Sequence, residues 1–147
     1  MKEGAIEYKY EVFPRFSDMD AYGILHHSRY LLLVEEAKFS FMNEPALFGI
    51  DVLGEDIKFL ISHFSIKYIN AIKYKCNQSA TVVLKFYIED DIKIIFDFIV
   101  YYGNKISCTG QAIHVVTDMN NQLMLSLPDK LVTLPAHRYT HPNILPL

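Results

Sequence analysis

Apolar and polar residues alternate with a period of two along most of the second half of the chain. Four such runs occur, at residues 57–68, 80–88, 92–102 and 105–117. Alternation of this kind is typical of half-buried β-strands. The last two runs are separated by Gly103 and Asn104, which readily adopt the positive backbone angles of a hairpin turn. The pattern therefore predicts four strands, and the short connection favours antiparallel neighbours.

A further strand and one long helix precede these runs. Residues 6–12 alternate between apolar and charged side chains, which predicts a half-buried strand. Apolar side chains then recur at helical spacing, at Tyr30, Val34, Ala37 and Phe41. The other faces of this helix are also largely apolar, so the helix must be enclosed, and a single sheet encloses it only by curling around it. The predicted fold class is α+β, a curled antiparallel sheet of about five strands around one central helix.

Weaker patterns lie outside this plan. The sequence Asn43-Glu44-Pro45 is typical of a helix start, and a short helix would end near Gly49. Residues 118–122 form a predicted loop, Pro128 begins a second short helix, and the proline-containing tail is expected to be extended.

Length and composition restrict the class of protein. A chain of 147 residues with 51% hydrophobic side chains predicts one domain, residues 1–147. No apolar run reaches the roughly 18 to 20 residues of a membrane helix, so we expect a cytoplasmic protein without membrane insertion. A net charge of −3 argues against nucleic acid as a partner. Cys76 and Cys108 have no metal-ligand spacing and are expected to be reduced, buried thiols.

Polar residues gather at residues 17–29, where the long helix begins. The segment contains two aspartates, a glycine, two adjacent histidines and an arginine. An aspartate before a helix is often only a cap or a turn residue, so a structural role for Asp20 competes with a chemical one. We expect Asp18 to be a solvated turn acid. His26 and His27 diverge on any regular backbone, so we expect no metal site.

The stretch FSDMDAYGILHHSRYLLLVEEA resembles the signature of the 4-hydroxybenzoyl-CoA thioesterase family, especially its YbgC-like acyl-CoA thioesterase branch. Asp20 and His27 reproduce the interval of seven residues between an aspartate and a histidine in that branch. Gly23 fills the glycine position and Tyr30 the aromatic one. The stretches HFSIKYINAIKYKC and GQAIHVVTDMNNQLMLSLPDKL are similar to the family's second strand and to its last strand with the closing segment. The resemblance implies the hotdog fold for most of the chain.

The activity implied by this resemblance is hydrolysis of an acyl-CoA thioester. Asp20 would attack the carbonyl carbon or activate a water molecule, and both alternatives stay open. The backbone N–H near His27 would polarise the carbonyl, while the His27 side chain would orient the substrate or assist proton transfer. Gly23 would let the thioester approach the main chain. The other implied substrate contacts are Phe16, His26 and Arg29.

Two departures from the family pattern keep alternative functions open. Phe16 stands where many YbgC-like members have a tyrosine, and His26 stands where an aromatic ring often precedes the histidine. Because Phe16 cannot donate a hydrogen bond, a non-catalytic acyl-thioester binding protein is one alternative. A hotdog dehydratase or hydratase is the other, although its usual His-Phe-Pro loop and helix glutamate are missing. Glu35 lies on the central helix without that flanking pattern, and a supporting role for it is left open.

The implied substrate also determines the expected partners. It is a thioester of coenzyme A or of an acyl carrier protein, so coenzyme A is part of the substrate and no separate cofactor is expected. The chain has no glycine-rich phosphate loop, so the phosphates would meet surface cations. The candidates are Arg15, Arg29, Lys67, Lys73 and Lys75. Hotdog proteins generally form their active site between two subunits, which implies a homodimer or homotetramer.

Overall fold

The computed structural model describes residues 5–43, 57–90 and 92–123, together with the backbone of residues 144–145. Strand β1 (Ile6–Val12), a short 3₁₀ turn (Phe16–Asp18) and helix α1 (His27–Met42) come first. Four long strands follow: β2 (Ile57–Tyr68), β3 (Ala80–Glu89), β4 (Lys93–Tyr102) and β5 (Lys105–Asp118). Strand β6 (Ile144–Leu145) has two residues. The predicted short helices after Asn43 and at Pro128, and most of the tail, lie outside the described residues.

The strands form one antiparallel sheet in the order β2-β5-β4-β3-β1-β6. This confirms the five strands predicted from the alternation of apolar and polar residues, with β6 added beside β1. Gly103 has φ of +62°, as a tight turn between β4 and β5 requires. Gly110 in β5 leaves room for its neighbours, since a Cβ there would lie 2.2 Å from the Ser65 carbonyl oxygen and 2.3 Å from the Phe98 ring. The sheet curls around α1, as predicted.

Aromatic side chains hold α1 against the sheet. Phe41 contacts the rings of Tyr8, Phe86 and Phe96 at centroid distances of 5.3, 5.1 and 5.6 Å. Its helical neighbours Val34 and Ala37 are fully buried, which confirms the predicted core face. The sheet covers only one side of the helix. Apolar side chains on the other side are exposed, namely Leu31, Leu32 and Phe39.

Two ionisable side chains lie inside this apolar core. Lys38 is only 3% exposed, and its Nζ donates to Glu35 Oε1 at 2.5 Å. Burial lowers the pKa of Lys38, while the bond to Glu35 raises it. His114 packs edge-on against Phe96, with ring centroids 5.5 Å apart. Burial, with a smaller contribution from the Lys38 charge, lowers the pKa of His114 to about 4, so its imidazole is neutral at neutral pH.

The two cysteines differ in environment. Cys108 is buried, and burial raises the pKa of its thiol to about 12, which makes it unreactive. Cys76 is exposed, so the expectation that both thiols are buried is wrong for Cys76. Both are free, as expected. Among the described residues, no helix has the length and apolar character needed to cross a membrane.

The buried imidazole of His114 makes the folded protein sensitive to acid. Its folded-state pKa of about 4 lies below the ordinary value of 6.5, so the unfolded chain binds the proton more readily. The free energy of unfolding should therefore fall by about 3 kcal/mol as pH drops from about 6.5 to about 4. His114→Leu should lose this part of the pH dependence, because leucine does not titrate. The substitution removes no hydrogen bond of Nδ1, since this atom has no hydrogen-bond partner among the described residues.

Urea unfolding at several pH values between 4 and 7 measures this effect. Carboxylates titrate alike in wild type and His114→Leu, so only the difference between the two proteins matters. Identical slopes of stability against pH for wild type and His114→Leu would show that His114 does not cause the acid sensitivity.

Candidate active site

A tight turn at Asp20 precedes the helix. The Asp20 N–H donates to the Ile24 carbonyl at 2.8 Å, and the Gly23 N–H donates to the Asp20 carbonyl at 3.0 Å. The side chain supports the same turn, because Asp20 Oδ1 accepts from the N–H groups of Tyr22 at 2.8 Å and Ile24 at 3.4 Å. Gly23 has φ of +76°, which favours glycine. We call residues 20–24 the Asp20 turn.

The first backbone N–H groups of helix α1 differ in their hydrogen bonds. His26 caps the helix, since its Nδ1 accepts from the Ser28 N–H at 3.2 Å. The Arg29 N–H donates to the His26 carbonyl at 2.8 Å. No described residue accepts a hydrogen bond from the His27 N–H. This N–H therefore retains its partial positive charge, which the helix dipole reinforces.

Residues 69–75 run beside both the Asp20 turn and the start of the helix, and we call them the 69–75 segment. The Leu25 N–H donates to the Ile72 carbonyl at 2.8 Å, and Ile24 forms a β-bridge with Lys73. From the helix, the buried Tyr30 hydroxyl accepts from the Ile72 N–H at 3.2 Å. These contacts fix the segment in place.

These elements line a cavity of about 240 Å³ that is open to solvent. Asp20 and His27 both line it, so the structure brings the two predicted catalytic residues together. The remaining lining residues are Ile24, Leu25, Tyr30, Tyr68, Ile69, Asn70 and Ala71. The Tyr68 hydroxyl donates to the His27 carbonyl at 3.1 Å and so holds the first helical turn. A carboxylate, an imidazole and an unpaired N–H beside apolar walls can polarise a carbonyl group and deliver a nucleophile to it.

Comparison with known proteins identifies the family of this chain. A family model described as the thioesterase-like superfamily matches residues 14–137, which includes the Asp20 turn, α1 and four of the strands. The chain belongs to the thioesterase-like superfamily. A search among curated proteins gives no sequence match.

Several solved structures share the fold of this chain. A 1,4-dihydroxy-2-naphthoyl-CoA thioesterase from Synechocystis superposes with a TM-score of 0.72 at 20% identity, covering 86% of this chain and 93% of that one. A DHNA-CoA thioesterase from Staphylococcus aureus gives 0.70 at 14% identity, covering 80% and 79%. A hypothetical protein from Thermus thermophilus gives 0.74 at 15% identity, covering 86% and 96%. These likenesses confirm the hotdog fold.

The predicted substrate contacts of this thioesterase-like protein do not line the Asp20 cavity. Phe16 is 76% exposed and packs edge-on against Tyr74 at 5.7 Å. His26 caps the helix, Gly23 shapes the turn, and Arg29 points to another cavity. Their roles in binding stay predictions. Sequence reasoning missed the wall residues Tyr68 and Asn70, for which the only signal was their position at the end of a predicted strand.

Asp18 is not the solvated acid that was expected. It is 7% exposed, and its Oδ2 accepts from the Arg15 N–H at 3.0 Å. Arg29 Nε lies 3.8 Å from its Oδ1, and Arg15 Nε lies 3.6 Å from Oδ2. This cluster borders a cavity of about 440 Å³ that contains neither Asp20 nor His27. The expectation was wrong because two arginines and a backbone N–H replace the solvent around the carboxylate.

The adjacent histidines also differ from expectation. Their rings lie 4.3 Å apart with a tilt of 31°, so they do not diverge. His26 has φ of −61° and ψ of 138°, which is extended rather than helical. The prediction that the two side chains diverge assumed a regular backbone and is therefore wrong. The part of the chain that the structure describes contains no cluster of three metal-ligating side chains. Glu35, bonded to Lys38, is outside the wall of the Asp20 cavity.

The left-handed conformation of Gly23 gives a stability prediction. Gly23→Ala should lower the free energy of unfolding by about 1–2 kcal/mol, the usual cost of a left-handed backbone for a residue with a Cβ. No atom lies within 4 Å of that Cβ, so no clash adds to the cost. Gly23→Asn should cost less, because asparagine tolerates this conformation and Asn121 adopts it with φ of 64°. Chemical unfolding of the two variants tests this, and equal losses would argue against a backbone origin.

Proposed function

We propose that this member of the thioesterase-like superfamily is an acyl-CoA thioesterase of the YbgC-like branch. It would hydrolyse the thioester bond of an acyl-CoA or acyl-carrier-protein substrate to a free acid and a thiol. The observation that carries the proposal is the shared cavity of Asp20 and His27, which lies at the unpaired N–H of α1. The Synechocystis and Staphylococcus aureus neighbours are named as CoA thioesterases, which supports this class of substrate.

The geometry suggests a division of labour in the reaction. The thioester carbonyl oxygen would accept from the His27 N–H, where the oxyanion of the tetrahedral intermediate is stabilised. Asp20 would either attack the carbonyl carbon or remove a proton from an attacking water. Collapse of the intermediate releases the thiolate, and the His27 imidazole would supply or relay its proton. If Asp20 is the nucleophile, this step leaves a mixed anhydride between the acyl group and Asp20, and a water molecule then cleaves it to the acid and the Asp20 carboxylate. If water is the nucleophile, the acid forms directly, and the proposed reaction uses no metal or separate cofactor on either route.

A second aspartate in the same molecule forms a similar turn and allows a comparison with Asp20. Asp118 forms a turn like that of Asp20, because its Oδ1 accepts from the N–H groups of Asn120 and Gln122 at 2.9 Å each. Its own N–H donates to the Gln122 carbonyl at 3.0 Å. Asp118 lies outside the wall of the Asp20 cavity. The turn is therefore a structural unit, and the helix N-terminus and His27 distinguish Asp20 from it.

Removing the Asp20 charge should abolish most of the hydrolysis. Asp20→Asn keeps the Oδ1 acceptor for the turn but loses the base or nucleophile, so kcat should fall by about 100-fold or more. Asp118→Asn makes the same chemical change in the equivalent turn and should retain wild-type turnover. The assay is release of free thiol from short, long and aromatic acyl-CoA thioesters.

Two outcomes would overturn the proposal. Normal turnover by Asp20→Asn would remove Asp20 from the mechanism. Acyl-CoA binding without thiol release from any substrate would favour the non-catalytic binding protein. Phe16, which is exposed and cannot donate a hydrogen bond, is the residue that motivates this alternative.

We also propose that the protein is a homodimer joined at β2. This strand has 12 residues, and among the described strands it pairs only with β5, so one edge carries unpaired backbone groups. Leu60 and Ile61 on it are 44% and 46% exposed, and Tyr68 at its end is 49% exposed. A second copy pairing antiparallel at this edge would satisfy both edges by two-fold symmetry. Tyr68 lines the Asp20 cavity, so the second copy would lie next to the site.

A charged substitution on this strand tests the dimer. Wild type should sediment with the mass of two chains or a multiple of it, whereas Ile61→Lys should shift toward the single chain. Met119→Lys adds the same charge at a loop residue that is 56% exposed and should leave the mass unchanged. A wild-type protein that sediments as one chain at micromolar concentration would contradict the proposal.

A further inference from the structure

A second cavity adjoins the Asp20 cavity and carries a concentration of positive charge. It has a volume of about 480 Å³ and shares Asn70 and Ala71 with the Asp20 cavity. Three lysines line it, Lys73, Lys75 and Lys105, and its other lining residues contain no carboxylate. We call it the lysine cavity. In a chain with a net charge of −3, such a local excess of cations marks a place suited to an anionic ligand.

The backbone around the lysine cavity is held in place. The Ile24–Lys73 bridge joins its wall to the Asp20 turn. On the other side, the Asn70 side chain donates to the Ile106 carbonyl at 2.9 Å, and the Asn70 N–H donates to the Ser107 carbonyl at 3.1 Å. The turn between β4 and β5, with Gly103 and Asn104, closes the far end. The cavity is therefore preorganised between the catalytic turn and the sheet.

We propose that the lysine cavity binds the phosphate-bearing nucleotide half of coenzyme A while the thioester lies in the Asp20 cavity. This inference rests on the proposed thioesterase function and names its substrate as a free CoA thioester. The volume falls within the roughly 300–1,000 Å³ typical of small-molecule sites. It is larger than the space that a single phosphate group would fill. Lysine ammonium groups bind phosphate as point charges, and three of them match a ligand with several phosphates. The shared Asn70 and Ala71 place the two halves of one substrate side by side.

This assignment divides the cations named from the sequence. Lys73 and Lys75 line the lysine cavity, and Lys105 joins them from the β4–β5 turn. Arg15 and Arg29 border the separate cavity around Asp18 instead. Lys67 lines neither of these cavities.

Calorimetric titration of the full chain with coenzyme A, 3′,5′-ADP and pantetheine tests the inference without any turnover. In the triple variant Lys73→Gln, Lys75→Gln, Lys105→Gln, the Kd for coenzyme A and for 3′,5′-ADP should rise by at least about tenfold. The control triple Lys9→Gln, Lys58→Gln, Lys93→Gln changes the net charge equally on other parts of the sheet. It should bind both ligands as wild type does. Raising the salt concentration should weaken wild-type binding more than binding by the cavity variant.

Pantetheine lacks the nucleotide and its phosphates, so its binding should not distinguish the cavity triple from the control triple.

Kinetics separate this inference from the proposed function. The ratio of kcat/KM for an acyl-CoA to that for the matching acyl-pantetheine should fall at least about tenfold in the cavity triple. If Asp20→Asn abolishes hydrolysis but the cavity triple binds coenzyme A normally, the thioesterase function stands and the cavity assignment is wrong. If coenzyme A binding depends on the lysines but no thioester is hydrolysed, only the proposed function fails. Preferred turnover of acyl-carrier-protein, weakened by the same lysine changes, would overturn the choice of free coenzyme A.

Discussion

The aromatic packing between α1 and the sheet is the interaction on which the site depends. Near the C-terminal end of the helix, Phe41 contacts three rings of the sheet. Near the N-terminal end, Tyr30 contacts Tyr68 with ring centroids 5.3 Å apart and accepts from the Ile72 N–H. A helix anchored at both ends presents its first turn at a fixed position. The proposed role of the His27 N–H as an oxyanion donor requires such a fixed position.

The two aspartate turns show where local sequence information ends. Asp20 and Asp118 use the same hydrogen bonds, and each turn contains a residue with positive φ, Gly23 in one and Asn121 in the other. Local patterns therefore predict a turn in both places and cannot separate a structural aspartate from a chemical one. The difference is tertiary, since only Asp20 lies at the start of α1 and beside the 69–75 segment. The resemblance to a family, carried by the spacing of Asp20 and His27, is the basis for the proposal that Asp20 has a chemical role.

The sequence predicted most of the fold because burial in a strand is a local, period-two property. Strands β1 to β5, helix α1 and the turn at Gly103 all follow from local patterns in the sequence. Properties that depend on contacts between distant segments were not predictable. Asp18 is buried because Arg29, on the first turn of α1, reaches back to it. Likewise part of the wall of the Asp20 cavity comes from the end of β2. Tyr68 lies 41 residues from His27 along the chain, so no spacing rule could place it beside His27.

The end of β2 connects the features of the site. The Tyr68 hydroxyl holds the first turn of α1, and Asn70 belongs to the walls of both cavities. The unpaired edge of the same strand is where a second copy would add. Under the proposed function, a change at this strand end would therefore affect the proposed oxyanion donor, the proposed nucleotide cavity and the proposed dimer contact together. Mutations there are expected to be non-additive, whereas the Asp20 turn, held by its own hydrogen bonds, can be altered separately.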